Sequence, residues 1–426
     1  MITKTIDFRK IDKNEPEWLY KLRRDSWSAY NDSPLPNRVV HLWRYTQPES
    51  FLVEKPGDLM QSGFSIPKGN GKKLIALSDE QAALGYNLAD MTTVAQISPE
   101  LQEQGVHFLD LMTAIETESG PVQEYLGKMI GSSFGKFEAF NLALWNIGFF
   151  LYIPDNVIIE KPIYLNRIPT GTDTISRLLV ITGKNSQATL IDNYRDDADS
   201  AIGQFNSVIE VFADDHSRIR YVGLQNFSDR ITNYMTQRAQ IGSQSDFLTI
   251  QVVLGSAVSK VNTGTILNGR GANSRIYSLL FGDRKQHFDL HTMHNHRDHE
   301  AYSNIDVKVV LKDKATSAYT GLIRIEEKTI NNEAYQENRN LLLNPGTKAE
   351  SIPELEILSD EVRCTHGATM GPIDPEMVFY LKSRGIEYDQ AVRMIVSGFF
   401  EPTIKKIPDD LHDAVRGIVV NKLENE

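Results

Sequence analysis

The sequence predicts a mainly β chain, with a β-solenoid core between two helical zones. Three observations carry this reading. From 148 to 370, short apolar–polar alternations follow one another without a helical period. Within that stretch a small polar turn leading into a strand recurs, as "GKNSQATLIDNY" from 183, "ADDHSRIRYVGL" from 213, "GSQSDFLTIQVV" from 242 and "GRGANSRIYSLL" from 269. These starts lie 27 to 30 residues apart, a unit length suited to coils that stack on one another. Finally, capped segments with helical spacing lie before and after this core. A β-sandwich or barrel with similar turn spacing is the competing architecture.

The first zone, residues 1–147, reads as helical with long loops. In "EPEWLYKLRRDSWSAY", Trp18, Leu19, Leu22 and Ala29 share roughly one stripe. "SPELQEQGVHFLDLM" offers Ser98 as an N-cap and Pro99 as the first helical residue. "KFEAFNLALWNIG" spaces Phe137, Phe140, Leu144 and Ile147 at helical intervals and stops near Gly148. The Gly- and Pro-rich "EKPGDLMQSGFSIPKGNGKK" between them reads as loop.

In the core zone, "SNIDVKVVLKD" puts Ile305, Val307, Val309 and Leu311 on one face, with Asp306, Lys308 and Lys312 opposite. "AYTGLIRIEE" repeats the pattern with Tyr319, Gly321, Ile323 and Ile325. The last zone, residues 371–426, returns to helix. Asp374 is placed as N-cap, Pro375 at the first position and Gly385 where a C-terminal cap belongs. A second helix starts at Asp389, and a third carries Leu411, Val415 and Ile418 on one stripe. Three such helices would either cap one end of the solenoid or present an apolar face to a partner.

Composition narrows the function classes. The chain has 426 residues, 45 basic and 56 acidic, for a net charge of −11. That argues against general binding to nucleic acid or anionic membrane. "MITKTIDFRKIDKNEPEW" lacks the apolar core of a signal peptide, and no run of eighteen apolar residues occurs. The single cysteine, Cys364, excludes a disulfide within the chain. These features fit a reducing cytoplasm. One thiol also cannot hold a four-cysteine metal site alone.

Half of the ten histidines, His287, His291, His294, His296 and His299, lie in thirteen residues around "HTMHNHRDHE". On a strand they split: His287 and His291 point one way beside Asp289, His294 and His296 the other beside Phe288 and Leu290, and His299 falls past the turn. No face alone offers the three histidines of a typical catalytic zinc, and no HExxH is present, so scaffold or surface roles are expected. Gly-Lys occurs only as "GKK", "GKM", "GKF" and "GKN", without the hydroxyl of a P-loop. Paired acids at 196–197, 214–215 and 409–410 would suit glycoside or lyase chemistry on a β-solenoid, but such pairs are more often solvated turn residues.

"EVRCTHGATMGPID" is different. Cys364 and His366 are two apart, so an extended strand puts both on one face. They make a half-site for a soft metal, and a protonated imidazole would favour the thiolate. The alternative is a small buried hydrophobe beside an ordinary strand histidine. The run lies where strand gives way to helix, where a second chain could complete a ligand set.

"PELEILSDEVRCTHGATMGPIDPEMVFYLKSRGI" resembles the C-terminal signature of the SufB/SufD family of iron–sulfur cluster assembly proteins. "TGLIRIEEKTINNEAYQENRNLLLNPGTKAES", "MHNHRDHEAYSNIDVKVVLKDKATSAY", "FFLYIPDNVIIEKPIYL" and "LRRDSWSAYNDSPLPNRVVHLWRYT" resemble other family segments, so the likeness covers nearly the whole chain. The length, the single cysteine and the C-T-H-G-A-T run point to the SufD branch, because SufB-like members are longer and have more cysteines.

The resemblance implies a right-handed parallel β-helix flanked by helical domains and no enzymatic activity. It implies a scaffold in a SufBCD complex, pairing with a SufB-like β-helix subunit and binding a SufC-like ABC ATPase. Cys364 and His366 match the family's interface cysteine and histidine, with His366 facing a SufB cysteine as a ligand. Leu381, Ser383, Arg384, Gly385 and Ile386, with Ala391, Ile395, Phe399 and Phe400 on the next helix, match the ATPase-binding region. No tightly bound cofactor is expected, only a transient iron–sulfur cluster at the shared interface, and homodimers through the same edge stay open. Two other readings remain: a β-helix carbohydrate-active enzyme using Asp214 or Asp215, and a self-sufficient metal-binding protein using His294 and His296.

Overall fold

The alternating runs form strands, and each pairs with the strand two places further along the chain. This is seen in a computed structural model that describes residues 15–56, 59, 77–88, 92–169, 173–196 and 202–424. The N-terminal zone contains α1 (Glu17–Asp32), β1 (Ala83–Asn87), β2 (Thr93–Ile97), α2 (Pro99–Glu103), β3 (His107–Asp110), α3 (Leu111–Thr117), α4 (Ser119–Tyr125) and α5 (Lys136–Leu144). The coils follow as β4 (Ile147–Ile153), β5 (Ile163–Arg167), β6 (Asp173–Thr182), β7 (Gln187–Arg195), β8 (Gly203–Ala213), β9 (Arg218–Asn226), β10 (Ile231–Ile241) and β11 (Asp246–Val253). They continue as β12 (Val258–Leu267), β13 (Asn273–Gly282), β14 (His287–His296), β15 (Tyr302–Leu311), β16 (Thr316–Ile325), β17 (Asn332–Leu342), β18 (Lys348–Ile357) and β19 (Val362–Pro372). The chain closes with α6 (Pro375–Ser383), α7 (Tyr388–Ile404) and α8 (His412–Glu424).

From β4 onward the even strands build one sheet that ends in β18, and the odd strands build the other, ending in β19. Every ladder between successive coils is parallel, as in β12–β14 and β17–β19. Among the described residues, antiparallel pairing is confined to β1–β2 and β3–β4 at the N-terminal end. The result is a mainly β parallel solenoid of about 8 turns with helices at both termini. The sandwich alternative fails because hairpin-linked sheets are antiparallel.

The recurring polar turns set the coil length. Asn156, Asn185, His216, Gln244, Gly271, Glu300 and Asn331 all have left-handed backbones, with φ between 55° and 67°. Each donates its N–H to a carbonyl of the next coil, from Asn156 to Lys184 at 2.7 Å through Asn331 to Glu361 at 2.8 Å. At each of these turns one residue thus adopts a backbone that residues other than Gly rarely take, and its donor is satisfied by the next coil.

Inside, side chains stack in rows fixed by register. One row runs Ala188, Ile219, Phe247, Ser274, Ser303, Ala334 and Cys364. Its neighbour runs Leu190, Tyr221, Thr249, Ile276, Ile305, Gln336 and His366. Outside, several strands are apolar too. Ile191, Val222 and Ile250 face outward in register and are buried by Val396, Phe400, Ile404, Val415 and Val419 of α7 and α8. The C-terminal helices therefore lie along the flank of the odd-strand sheet instead of capping an end. The opposite flank is covered by the N-terminal zone, where Leu19 and Trp27 of α1 and Phe140 of α5 share a core with Ile175 and Leu179 of β6.

The first zone is less helical than its sequence reads. The predicted helix from Ser98 lasts only five residues, and the Ser98 side chain makes no cap bond. Gly105, at φ +81°, then turns the chain into β3. Ile147 opens β4 and does not extend α5, because the helix ends at Leu144 and Trp145 leaves the helical conformation. Most of the segment read as loop between 54 and 73, and the first fourteen residues, lie outside the described residues. The C-terminal caps are as predicted: Asp374 accepts from the Glu376 N–H, and Gly385 has φ +83°.

Candidate functional site: the open end of the solenoid

The N-terminal end of the coil stack is closed by β1, β2 and β3, whereas the C-terminal end stops at β18 and β19, with no further strand beyond them among the described residues. Cys364 and His366 both belong to the inward rows of β19, so they share a face as expected. With no further coil beyond them, that face opens outward. His366 is exposed and Cys364 half-buried. Rim residues Ile357, Leu358 and Met370 are 38%, 47% and 49% exposed. The rows that are buried at Gln336 and Ala334 thus end in a histidine and a thiol at an apolar mouth.

The pair offers one sulfur and one ring-nitrogen donor. Among the described residues no group of three or more His, Cys, Asp or Glu side chains is arranged to hold a metal ion. Burial pushes the Cys364 thiol up, opposite to the expectation that His366 would favour the thiolate. The thiol abuts the end of the apolar core, with Val362 and Leu355 packed against the same cluster.

The histidine stretch resolves into two structural sets. His294 and His296 are fully buried inside the solenoid, where His294 Nε2 lies 3.0 Å from Ser274 Oγ and His296 Nε2 lies 2.8 Å from Ser303 Oγ. Burial pushes His296 down to about 4 and holds His294 well below the usual histidine range. On the outer face, His287, Asp289 and His291 look like a ligand trio, but Lys260 occupies its centre. Lys260 Nζ lies 2.7 Å from Asp289 Oδ2 and 2.8 Å from His291 Nε2, and it also donates to the Leu42 carbonyl at 2.6 Å. The ammonium stands where a cation would sit. Burial lowers Lys260 and would raise Asp289, but His291 and Lys260 hold the Asp289 carboxyl well below the usual carboxylate range. Thr46 donates to Asp289 Oδ2 at 2.5 Å, and Trp43 covers the lysine at 4.7 Å.

Asp214 and Asp215 serve the corner turns. Asp214 Oδ1 accepts from the Asp215 N–H at 2.7 Å, and Asp215 Oδ1 accepts from the Ser243 N–H at 2.8 Å. They cap the turns of adjacent coils.

The C-terminal helices divide into a buried and an open side. Ala391 and Phe400 are fully buried against the solenoid flank, so in this chain they pack the helices down and are not displayed. Phe399 is partly buried, and its carbonyl accepts from Lys308 Nζ at 3.0 Å. Leu381, Ile386 and Ile395 are intermediate, and Arg384 and Gly385 are exposed. The sequence reading missed the most exposed apolar side chains here: Met377 at 51%, Phe379 at 74%, Tyr380 at 57%, Tyr388 at 55% and Met394 at 48%. Their signal was an apolar surplus in "EMVFYL", too large for one face of a short helix.

The structure is thus a parallel β-solenoid closed at one end, with a Cys/His pair at the other. Comparison with known proteins gives its family. Residues 166–399 match the family model of the SufBD core domain of the SUF system for FeS cluster assembly, and residues 7–165 match that of the SufBD N-terminal region. The chain belongs to the SufB/SufD family of iron–sulfur cluster assembly proteins. Within it, the chain sides with SufD: it is 28% identical over 404 residues to the iron–sulfur cluster assembly protein SufD of Bacillus subtilis (strain 168), spanning 92% of this chain and 91% of that protein. It is also 24% identical over 406 residues to a SufBD family protein of Staphylococcus aureus (strain MRSA252), spanning 93% of this chain and 87% of the relative. Among the described residues no helix is long and apolar enough to cross a membrane.

Proposed function

We propose that this chain is a non-enzymatic scaffold subunit of iron–sulfur cluster assembly, working in the cytoplasm. It pairs through its last coil with a SufB-like β-solenoid subunit and binds a SufC-like ABC ATPase through the open side of α6 and α7. The observation that carries the reading is the exposure of His366 beside half-buried Cys364 at the uncovered end of the coil stack. Two ligands at an open rim are an incomplete site, and a partner docking end-on would bring the rest. The nascent cluster is cargo on this interface, held transiently, with His366 as the stronger donor because it is already accessible.

The exposed Met377, Phe379, Tyr380, Tyr388 and Met394 support a protein partner on the helices. Tagged chain co-expressed with its SufB-like and SufC-like neighbours and sized by light scattering tests the proposal. A stable complex containing both is the expected result. A monomer that leaves both behind, or a homodimer that excludes the SufB-like subunit, overturns it.

A further inference from the structure

The segment 37–46 is anchored at many points while its own apolar side chains face water. Lys260 holds the Leu42 carbonyl, Thr46 holds Asp289, and Thr46 Oγ1 also lies 2.9 Å from His287 Nε2. Trp43 is buried and stacks on Tyr234, with ring centroids 6.0 Å apart. The Asn37 side chain accepts from the Val39 N–H at 2.9 Å, which shapes the bend. Yet Val39, Val40 and Leu42 are 91%, 47% and 41% exposed. Sequestering Lys260, Asp289 and His291 under this strap is costly unless their mutual bonds are kept, so the strap has one well-defined seat. That seat fixes three aliphatic side chains outward.

The strap also reaches the open end. His41 Nδ1 lies 3.0 Å from Oε1 of Glu354 on β18, the last strand of the even sheet. Glu354 is three residues before Ile357, so the strap stands roughly 10 Å along the strand from the apolar rim. The outer edge of β18 has no strand partner among the described residues, and an unpaired edge is a template for another chain.

We propose that Val39, Val40 and Leu42 form a lip of the docking rim and pack against the end coil of a second β-solenoid subunit. The inference rests on the end-on pairing proposed above and adds a contact outside the coils. It commits to that occupant because the strap, through His41, sits against the last strand of the even sheet, whose outer edge is unpaired among the described residues.

The test is a titration of the SufB-like subunit against wild-type chain and a Val39→Asp/Val40→Asp double variant. Circular dichroism and ATPase-subunit binding serve as controls for folding. The expected result is at least tenfold weaker pairing by the variant, with both controls unchanged. If wild type and variant pair equally well, the lip is overturned while end-on pairing stands. If wild type does not pair at all, the pairing itself fails. If the variant loses only self-association, the occupant is a second copy of this chain and the proposed partner is wrong.

Discussion

Arg167 and Asp192 meet inside the solenoid as a bidentate ion pair, at 2.8 and 2.9 Å, with neither side chain exposed. Arg167 also donates to Ser176 Oγ at 2.6 Å, and the Tyr194 and Tyr221 hydroxyls donate to Asp192 Oδ2 at 2.7 and 2.8 Å. Every guanidinium nitrogen and both carboxylate oxygens take part in a bond, which is what makes a buried pair tolerable. Arg167→Met should leave Asp192 buried without its cation and destabilise the chain by about 3–5 kcal/mol. Urea unfolding followed by circular dichroism checks this; a loss below about 1 kcal/mol would mean the interior is wet enough to screen the carboxylate.

Stability should fall in mild acid because of His296. Its folded value is about 4 and its unfolded value about 6.5, so the folded state binds fewer protons between them. Above about 6.5 both states hold it neutral and it makes no difference to stability. As pH drops from there toward 4, the unfolded state alone takes up the proton, and stability declines by roughly 3 kcal/mol. His296→Gln should flatten that slope by one proton in a pH series of unfolding curves. An unchanged slope would assign the loss to other groups, His294 first.

At the open end, chemistry and fold should separate. His366→Ala should leave unfolding unchanged, because the side chain is exposed, and should lower cluster formation by the assembled complex. Cluster yield equal to wild type would remove His366 from the site. Cys364 should alkylate more slowly than an ordinary thiol at neutral pH, with its pH–rate midpoint displaced upward by burial. Iodoacetamide kinetics on the isolated chain measure this.

The C-terminal helices should show two kinds of variant. Phe400→Ala removes a fully buried ring packed near Phe281, so a stability loss of about 3–5 kcal/mol is expected. Phe379→Asp, at a highly exposed site, should alter stability by less than about 0.5 kcal/mol and weaken binding of the ATPase subunit. Calorimetric titration distinguishes them. Full-strength binding by Phe379→Asp would move the docking site off α6.

Much of this was legible before the structure. Turn recurrence gave the coils, period two put Cys364 and His366 on one face, and Asp374 and Gly385 marked α6. The position of the helices was not read, although a signal existed. "LLVI" within β6 is apolar on both faces, and a strand buried on both sides needs cover outside as well as inside. The ion pairs were missed for a related reason. Lys260 and Asp289 are 29 residues apart, as are Asp246 and Arg275, and Arg270 and Glu300 are 30 apart. In a solenoid, opposite charges one coil apart are neighbours, so the repeat length itself pointed to them. The short strands β1, β2 and β3, four or five residues each, had too few alternations to show a period.

The two flanks of the solenoid are gripped by different parts of the chain, with mechanical consequences at the mouth. α7 lies on β13 and β15 of the odd sheet, while the strap is seated on β12 and β14 of the even sheet and touches β18. The odd sheet ends in β19, which bears Cys364 and His366, and the even sheet ends in β18, which bears the strap contact. The open end is therefore a jaw with two separately held lips. α7 thus bears on the sheet that ends in the thiol and imidazole, whereas the buried lysine anchors the strap on the sheet that ends in β18.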